Sequence, residues 1–314
     1  MTRTLVILNA KAGTLRDLGA VDVEARVKRP LEASGRQVEV VLAKGAAIEA
    51  AIERGKAGDY DEIVLGGGDG TVSRALGKLV YSGKTIGVLP LGTVNLLGRD
   101  LGLPNDLDTA VAALVAAEPH SIDLARVNGR VFHSISGLGF FSQIARAREE
   151  VQVLGIGRFF RFIVAAWRAF IRSGRLNFRI EIDGRPHDVE TYAFLVTVNP
   201  FDGTGWRRTH LDDGLLEVHV AFDAPRMVRL RTALGLLAGT WRDDPGIASF
   251  KAKRVVVSRG RPRAWVSTDG ELVREELPLT YEILPRAVTV LMPAQASVEA
   301  AGAQPDVVAG FLGS

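Results

Sequence analysis

The sequence has no cysteine among its 314 residues. Disulfide bonds, thiolate nucleophiles and cysteine-ligated metal sites are therefore excluded. No apolar run reaches the roughly 18 residues that a membrane-spanning helix needs. The first residues also lack the basic stretch and apolar core of a secretory signal. These absences favour a cytoplasmic protein.

The motifs of several enzyme classes are missing as well. The five histidines do not have the His-Glu-x-x-His spacing of a zinc protease. The serines beside His133 do not stand in the Gly-x-Ser-x-Gly turn of an α/β-hydrolase. Net charge is only +3, with the basic excess in the second part of the chain. That excess suits an anionic membrane surface or reflects composition bias, and it is too small to indicate a nucleic-acid partner.

Short apolar runs alternate with helical patterns through residues 1–125. This order predicts a parallel sheet covered by helices, on which ligands bind beyond the carboxyl ends of the strands. We predict strands at residues 4–9, 37–42, 62–65, 85–89 and 121–127. We predict helices at residues 21–34, 46–56, 71–81 and 106–117.

The pattern changes after residue 126, where strand-like runs flank three hairpin signals. These are Asn128-Gly129, Asp183-Gly184 and Asp269-Gly270. Such pairs favour two-residue turns between antiparallel strands. The second part is therefore predicted to be mainly antiparallel, and the small-residue tail from 294 onward to have little structure.

One amphipathic helix, residues 157–173, interrupts this β region. Its aromatic face suits a membrane interface, with arginines on the opposite face. The same face would equally suit packing against a sheet, and the sequence leaves both interpretations open. The side chains predicted to line that face are Phe159, Phe160, Ile163, Trp167 and Phe170.

The strongest chemical signal is Gly66-Gly67-Gly68-Asp69-Gly70-Thr71, which follows an apolar run and opens a helical pattern. Glycines let backbone amides approach phosphate oxygens, and a helix N-terminus adds a favourable dipole. The loop is neither a Walker loop nor the usual Gly-x-Gly-x-x-Gly fingerprint. Since Asp69 would repel a phosphate, we expect it to face a metal ion or the reacting hydroxyl.

Two further polar loops follow predicted strands: Pro90-Leu91-Gly92-Thr93-Val94-Asn95 and Asn9-Ala10-Lys11-Ala12-Gly13. Together the three loops outline a nucleotide crevice. The Gly-Gly-Asp-Gly-Thr loop followed by Pro90-Leu91-Gly92-Thr93-Val94-Asn95 resembles the catalytic domain of diacylglycerol kinases, sphingosine and ceramide kinases, and bacterial lipid kinases. The loop that begins at Asn9 resembles that family's Asn-Pro-x-Ser/Ala-Gly loop. The resemblance extends through Asp213-Gly214-Leu215 and Asp269-Gly270-Glu271 and covers nearly the whole chain.

The resemblance implies an α/β plus β architecture, the NAD-kinase-like two-domain fold. A three-layer α/β domain, residues 1–125 plus about 285–305, would bind ATP. An antiparallel β-sandwich domain, residues 126–284 with the inserted helix 157–173, would bind lipid. The implied activity is that of an ATP-dependent lipid kinase in phospholipid metabolism, with Mg²⁺ as cofactor and peripheral contact with a membrane. A homodimer is left open.

The resemblance also assigns residues. Glu271 would be the general base, and Asp69 would organise Mg²⁺ or the acceptor. A structural Mg²⁺ would be held by Asp213 and the backbone carbonyls of His210 and Leu215. A neutral Gln143, where sphingosine kinases carry an acid, argues for ceramide or diacylglycerol rather than a sphingoid base. The implied ATP contacts are Asn9, Gly13, Gly66, Gly67, Gly68, Asp69, Gly70, Thr71, Val72, Ser73, Gly92, Thr93 and Asn95.

One departure from the family pattern keeps alternatives open. Ser73-Arg74 stands where the family usually has Asn-Glu. An NAD kinase or other small-molecule kinase shares the Gly-Gly-Asp-Gly-Thr loop, although it would not need the aromatic helix. A lipid- or nucleotide-binding regulator without catalysis is the non-enzyme alternative.

Overall fold

A computed structural model describes residues 1–15, 20–151, 164, 167, 168, 170, 172–202, 208, 210–238 and 240–293. The chain divides into two compact units. Unit 1 comprises residues 1–122 and the described residues from 286 onward, and unit 2 comprises residues 123–285.

Unit 1 is a parallel sheet with helices. The sheet order is β2-β1-β3-β4, and the end of the last strand, β15 Leu279–Met292, adds a further parallel strand beside β4. Side chains of β1 from Leu5 to Leu8 are fully buried, as expected of a parallel strand covered on both faces. The strands are β1 Arg3–Asn9, β2 Gln37–Ala43, β3 Glu62–Gly67 and β4 Thr85–Pro90. The helices are α1 Ala20–Ala33, α2 Ala46–Ala57, α3 Asp69–Leu79, α4 Leu96–Asp100 and α5 Leu107–Val115.

Unit 2 is mainly antiparallel. The long strand β9 pairs with β8 through its first half and with β7 and β10 through its second. The core between the strands includes Phe132, Phe194 and Tyr281. Its strands are β5 Glu118–Val127, which begins in unit 1, β6 Arg130–Phe132, β7 Ile135–Gly139, β8 Leu176–Ile182, β9 Arg185–Val198, β10 Leu216–Phe222, β11 Ile247–Ala252, β12 Arg254–Ser258, β13 Arg263–Thr268, β14 Glu271–Glu276 and β15 Leu279–Met292. Its helices are α6 Phe140–Val151 and α7 Arg226–Ala238.

All three predicted hairpin turns are present. Asn128-Gly129 joins β5 to β6, Asp183-Gly184 joins β8 to β9, and Asp269-Gly270 joins β13 to β14. Both residues of each pair have positive φ, between 45° and 85°. A two-residue turn of type I′ needs this backbone, and Asn, Asp and Gly adopt it at low cost.

The predicted strands and helices of residues 1–125 are present, with ends that differ by a few residues. Three helices, α4, α6 and α7, were not predicted. Helix α4 has only five residues, too few for a hydrophobic period to be visible. The exposed face of α7 carries Met227 and Leu234, so its sequence lacks a single apolar stripe.

The predicted amphipathic helix lies largely outside the described residues, and Phe159, Phe160 and Ile163 are among those not described. Of its two described aromatic residues, Trp167 is exposed and Phe170 packs against the core cluster around Phe140 and Tyr192. At least for Phe170, the packing interpretation holds. Among the helices that the structure describes, none is both long and apolar enough to cross a bilayer.

Candidate active site

The two glycine loops of unit 1 touch each other. Strands β3 and β4 are parallel neighbours, so the loops after their carboxyl ends leave the sheet at the same edge. A Cβ placed on Gly92 would lie 2.5 Å from the Cα of Gly68 and 2.7 Å from Oδ1 of Asn95. Only glycine at position 92 allows this approach. The Leu91 amide also donates to the carbonyl of Gly67, at 3.0 Å.

Asp69 joins the same two loops through its carboxylate. Oδ2 accepts from the amide of Asn95 at 3.0 Å, and Oδ1 accepts from the amide of Leu96 at 2.5 Å. These amides open α4, so a negative charge at this point satisfies donors that the helix itself leaves unpaired. Asp69 therefore positions the second loop. Its predicted part in catalysis stays a prediction.

Asn95 shapes the second loop from within. It is buried, and its backbone is left-handed, with φ 53°. Its Oδ1 accepts from the amide of Gly92 at 2.8 Å, and its Nδ2 donates to the carbonyl of Gly92 at 2.9 Å and to Oδ1 of Asn105 at 3.0 Å. The side chain is thus occupied by the protein. Asn95 therefore holds the loop in shape, and its predicted contact with ATP stays a prediction.

The third polar loop, which follows β1 and begins at Asn9, is hydrogen-bonded to α3. Nδ2 of Asn9 donates to Oγ1 of Thr71 at 2.9 Å, and Oδ1 of Asn9 accepts from the amide of Lys11 at 3.0 Å. Gly13 opens a short 3₁₀ turn, Gly13–Leu15. Hydrogen bonds and close contact therefore bring the three loops predicted from the sequence together in unit 1.

The first turn of α3 lies among these loops. Gly68 caps the helix, and its carbonyl accepts from the amides of Thr71 and Val72. Helix N-termini with nearby glycines are anion-binding sites, because their amides point away from the helix. Of the predicted contacts, Thr93 is exposed, Gly68 and Gly70 are half-buried, and Val72 is buried in the core. The Val72 side chain therefore cannot serve as a ligand contact.

Ser73 and Arg74, which replace the family's Asn-Glu, follow on the same helix. Ser73 is half-buried. Nε of Arg74 donates to the carbonyl of Gly70 at 2.9 Å and lies 4.0 Å from Oε1 of Glu49 on α2. Arg74 is largely exposed. Its positive charge is therefore met on the outer face of α3 by an acid of the neighbouring helix.

In unit 2 the Asp-Gly-Glu segment forms the turn before β14. Asp269 is buried, and its carboxylate accepts from the amides of His133, Ser134 and Ile135 at 3.0, 3.0 and 3.2 Å. Glu271 is exposed at the first position of β14. Asp269 thus anchors the hairpin that carries the predicted base. The sequence shows Asp269 only as a turn residue.

The predicted structural metal site lies in the segment before β10. Asp213 and His210 are exposed, and Leu215 is half-buried. The amide of Gly214 donates to Oδ2 of the buried Asp123 at 2.6 Å. Among the described residues, no three His, Asp or Glu side chains come together as a metal cluster. The predicted ligands are one carboxylate and two backbone carbonyls, which do not form a cluster of this kind. The metal site therefore stays a prediction. Gln143, the predicted lipid contact, is half-buried on α6.

Comparison with known proteins identifies this architecture. Residues 3–127 match the family model described as the diacylglycerol kinase catalytic domain. Residues 137–292 match the model described as the YegS C-terminal NAD kinase beta sandwich-like domain. The chain belongs to the diacylglycerol kinase catalytic domain family. The family and the NAD-kinase-like two-domain fold predicted from the sequence are thereby confirmed.

Relatives of this diacylglycerol kinase family chain are similar over most of its length. A protein of Bacillus subtilis (strain 168) named diacylglycerol kinase is 28% identical over 79% of this chain and 81% of its own. One of the same name from Staphylococcus carnosus (strain TM300) is 26% identical, over 75% and 78%. The predicted enzyme class, a phosphotransferase with an alcohol group as acceptor, is confirmed.

Solved structures share the fold. A crystal structure of a diacylglycerol kinase from Bacillus anthracis str. Sterne has a TM-score of 0.68 at 20% identity, over 93% of this chain and 97% of that one. A second structure from the same organism has a TM-score of 0.73 at 24% identity, over 93% and 96%. At these identities the likeness concerns the fold alone.

Proposed function

We propose that this protein is an ATP-dependent kinase that phosphorylates the free hydroxyl of diacylglycerol. The observation that carries the proposal is the junction of the glycine loops, where Gly68 and Gly92 meet and Asp69 bridges them. Such a junction suits a polyphosphate, because backbone amides can reach its oxygens. The names of the relatives favour diacylglycerol over ceramide, the other acceptor that Gln143 allows.

The reaction needs a phosphate site and a base. The hydroxyl oxygen of the lipid forms a bond to the γ-phosphorus of ATP, the bond from that phosphorus to the bridging oxygen of ADP breaks, and the hydroxyl proton passes to the carboxylate of Glu271. In this proposal the loops of unit 1 orient the triphosphate. Positioning and charge neutralisation supply most of the rate enhancement in phosphoryl transfer.

Mg²⁺ would supply charge neutralisation on the phosphate oxygens during transfer. It is usually bound by one or two carboxylates, with phosphates and waters completing its shell. Asp69 is the candidate for such a part, because its carboxylate stands at the start of α3 where the two glycine loops meet. Asp213 is the candidate for the separate structural ion.

The test is transfer from radiolabelled ATP with Mg²⁺ to three acceptors: dioleoylglycerol in mixed micelles, ceramide in mixed micelles, and NAD. We expect labelled phosphatidic acid as the main product. Labelled ceramide phosphate would change the acceptor, and labelled NADP would favour the NAD kinase alternative. No transfer to any of them, with ATP still bound, would favour a regulator without catalysis.

Two glycine variants connect this activity to the loop junction. Gly92→Ala should abolish ATP binding and transfer, because the new Cβ would overlap Gly68 and Asn95. Gly260→Ala is the control, since a Cβ there meets no atom within 4 Å. Full activity of a folded Gly92→Ala protein would contradict the role given to the junction.

A further inference from the structure

Large apolar side chains are exposed around helix α7. Met227 and Leu234 are 76% and 57% exposed, and Arg231 lies between them on the same face, at intervals of four and three residues. Such an arrangement leaves the outward face of α7 apolar with a cation at its centre. We call the whole exposed apolar set the α7 patch: Trp167, Phe222, Met227, Val228 and Leu234.

This exposure is not the result of a detached helix. On the opposite face of α7, Ala233 is buried in the core cluster that includes Trp241. Oγ1 of Thr232 donates to Oδ2 of Asp244 at 2.8 Å. The hydroxyl of Tyr192 donates to the carbonyl of Arg229 at 3.4 Å. Helix α7 is therefore docked through one face while its other face stays apolar and in solvent.

Trp167 belongs to the same surface. Its ring stacks on that of Phe170, with centroids 6.0 Å apart and an interplanar angle of 27°. The guanidinium of Arg229, on α7, lies 6.0 Å from the Phe170 ring. A continuous series of contacts thus links the exposed indole to the helix. Tryptophan is enriched where protein surfaces meet the lipid–water boundary.

The ion pairs beside the α7 patch leave their arginine side chains more exposed to solvent than the aspartates below them. Arg175 is 59% exposed and lies 2.8 Å from Asp223, which is 12% exposed, and 3.2 Å from Glu190, which is 58% exposed. Arg231 is 64% exposed over Asp244, which is 10% exposed at 3.3 Å. A guanidinium has five donors, more than one carboxylate uses. The half-buried acids Asp223 and Asp244 therefore hold the arginines in place, and Arg231 presents cationic donors to solvent.

We infer that the α7 patch docks the protein on a bilayer that contains anionic phospholipids. Met227, Leu234 and Trp167 enter the boundary between headgroups and acyl chains, while Arg175 and Arg231 bind lipid phosphates. The inference rests on the proposed function, because a long-chain acceptor has to be taken from a bilayer. It centres the membrane contact on α7, with a contribution from Trp167 of the aromatic helix predicted from the sequence.

The test compares three variants of the full chain by sedimentation with vesicles of equal parts phosphatidylglycerol and phosphatidylcholine. Met227→Asp with Leu234→Asp should weaken binding by about tenfold or more, because each change places a charge in the apolar boundary. Arg231→Glu should weaken binding to these vesicles and not to phosphatidylcholine alone. Trp265→Asp, an exposed aromatic outside the patch, should bind like the wild type.

A soluble acceptor separates docking from catalysis. The double aspartate variant should phosphorylate dissolved dihexanoylglycerol at the wild-type rate, with an unchanged circular dichroism spectrum. Wild-type vesicle binding by that variant would overturn the inference. If the wild-type protein is a dimer and the double aspartate variant is a monomer that still binds vesicles, the patch is instead a contact between copies of the chain. The wild-type protein could bind vesicles, with the binding lost in the double aspartate variant, and yet phosphorylate neither dihexanoylglycerol nor dioleoylglycerol. That result would refute the proposed function and still support the docking surface.

Discussion

Asp69 shows how one carboxylate can organise a loop junction. It stands at the start of α3, and both of its oxygens accept amides from the loop after β4. Hydrogen bonds to an ionised group are stronger than those between neutral groups. The residue that the sequence marks as an acid in a phosphate loop is therefore also a structural link between two loops. This structural link explains why an acid stands in a loop predicted to bind phosphate, since the phosphate alone would disfavour a negative charge there.

Replacing that carboxylate should affect both stability and nucleotide binding. Asp69→Asn turns one acceptor into a donor that faces the amide of Asn95 or Leu96, so we expect the free energy of unfolding to fall by about 1–3 kcal/mol. ATP affinity, measured by calorimetry, should fall as well. The control is Asp59→Asn, whose side chain is 94% exposed and pairs with Arg3 at the surface; the change there should be below about 1 kcal/mol. Equal effects of the two variants would contradict the link.

Glu271 offers a second test at a single side chain. Glu271→Gln keeps the shape of the residue and removes the group that would accept the proton, so we expect turnover to fall by about 10²–10⁴-fold. ATP binding should survive, because the ATP contacts proposed here do not include the Glu271 side chain. Steady-state kinetics and ATP titration check both statements. Unchanged turnover would remove Glu271 as the base.

Among the elements, the β13–β14 hairpin carries an internal comparison. Asp269 and Asp183 occupy the same position of the same turn type, and each accepts backbone amides from another part of the chain. Asp269 is buried and Asp183 is exposed. Asp269→Asn should therefore lower the free energy of unfolding by about 3 kcal/mol, and Asp183→Asn by about 1 kcal/mol. Urea titrations compare them, and equal losses would show that burial of the carboxylate does not matter.

Local signals explain which elements could be predicted. The glycine loops, the continuous apolar runs of β1 to β4 and the three Asn-Gly or Asp-Gly turns are readable from a few neighbouring residues, and the structure has them all. Helix α7 was not predicted, because its exposed apolar side chains hide the period of its buried face. The anchoring role of Asp269 was also missed, since its partners at 133–135 are distant in sequence.

At the scale of the whole molecule, the neighbours of each strand are set by pairing between segments that are distant in sequence, and local sequence patterns do not show these pairings. Unit 1 is built from two separate stretches of chain, because the end of β15 pairs with β4, Val290 opposite Ile86. The first part of β15 pairs with β12 in unit 2, Val256 opposite Thr280. Periodicity predicts β15 as a strand but says nothing about its neighbours, since contacts so distant in sequence leave no local pattern.

The acid stability of the molecule should depend on His219. It is buried on β10, with Nδ1 2.8 Å from Oγ of Ser249 and Nε2 3.2 Å from Oε2 of Glu217, and with Trp241 and Arg242 beside it. Burial lowers the pKa of His219 below its ordinary value of 6.5, and Glu217 opposes this only in part. The unfolded chain therefore binds more protons than the folded protein as pH falls through 6.5.

Stability linked to His219 is thus fully present above pH 6.5 and is lost as pH falls towards the lower pKa of the folded state. The expected loss in unfolding free energy is at most about 1.4 kcal/mol for each pH unit in that window. Urea midpoints on either side of pH 6.5 measure it. His219→Gln should flatten the dependence, whereas His187→Gln, at an exposed position of β9, should leave it unchanged. A wild-type midpoint that does not move across this window would show that the buried imidazole does not govern acid stability.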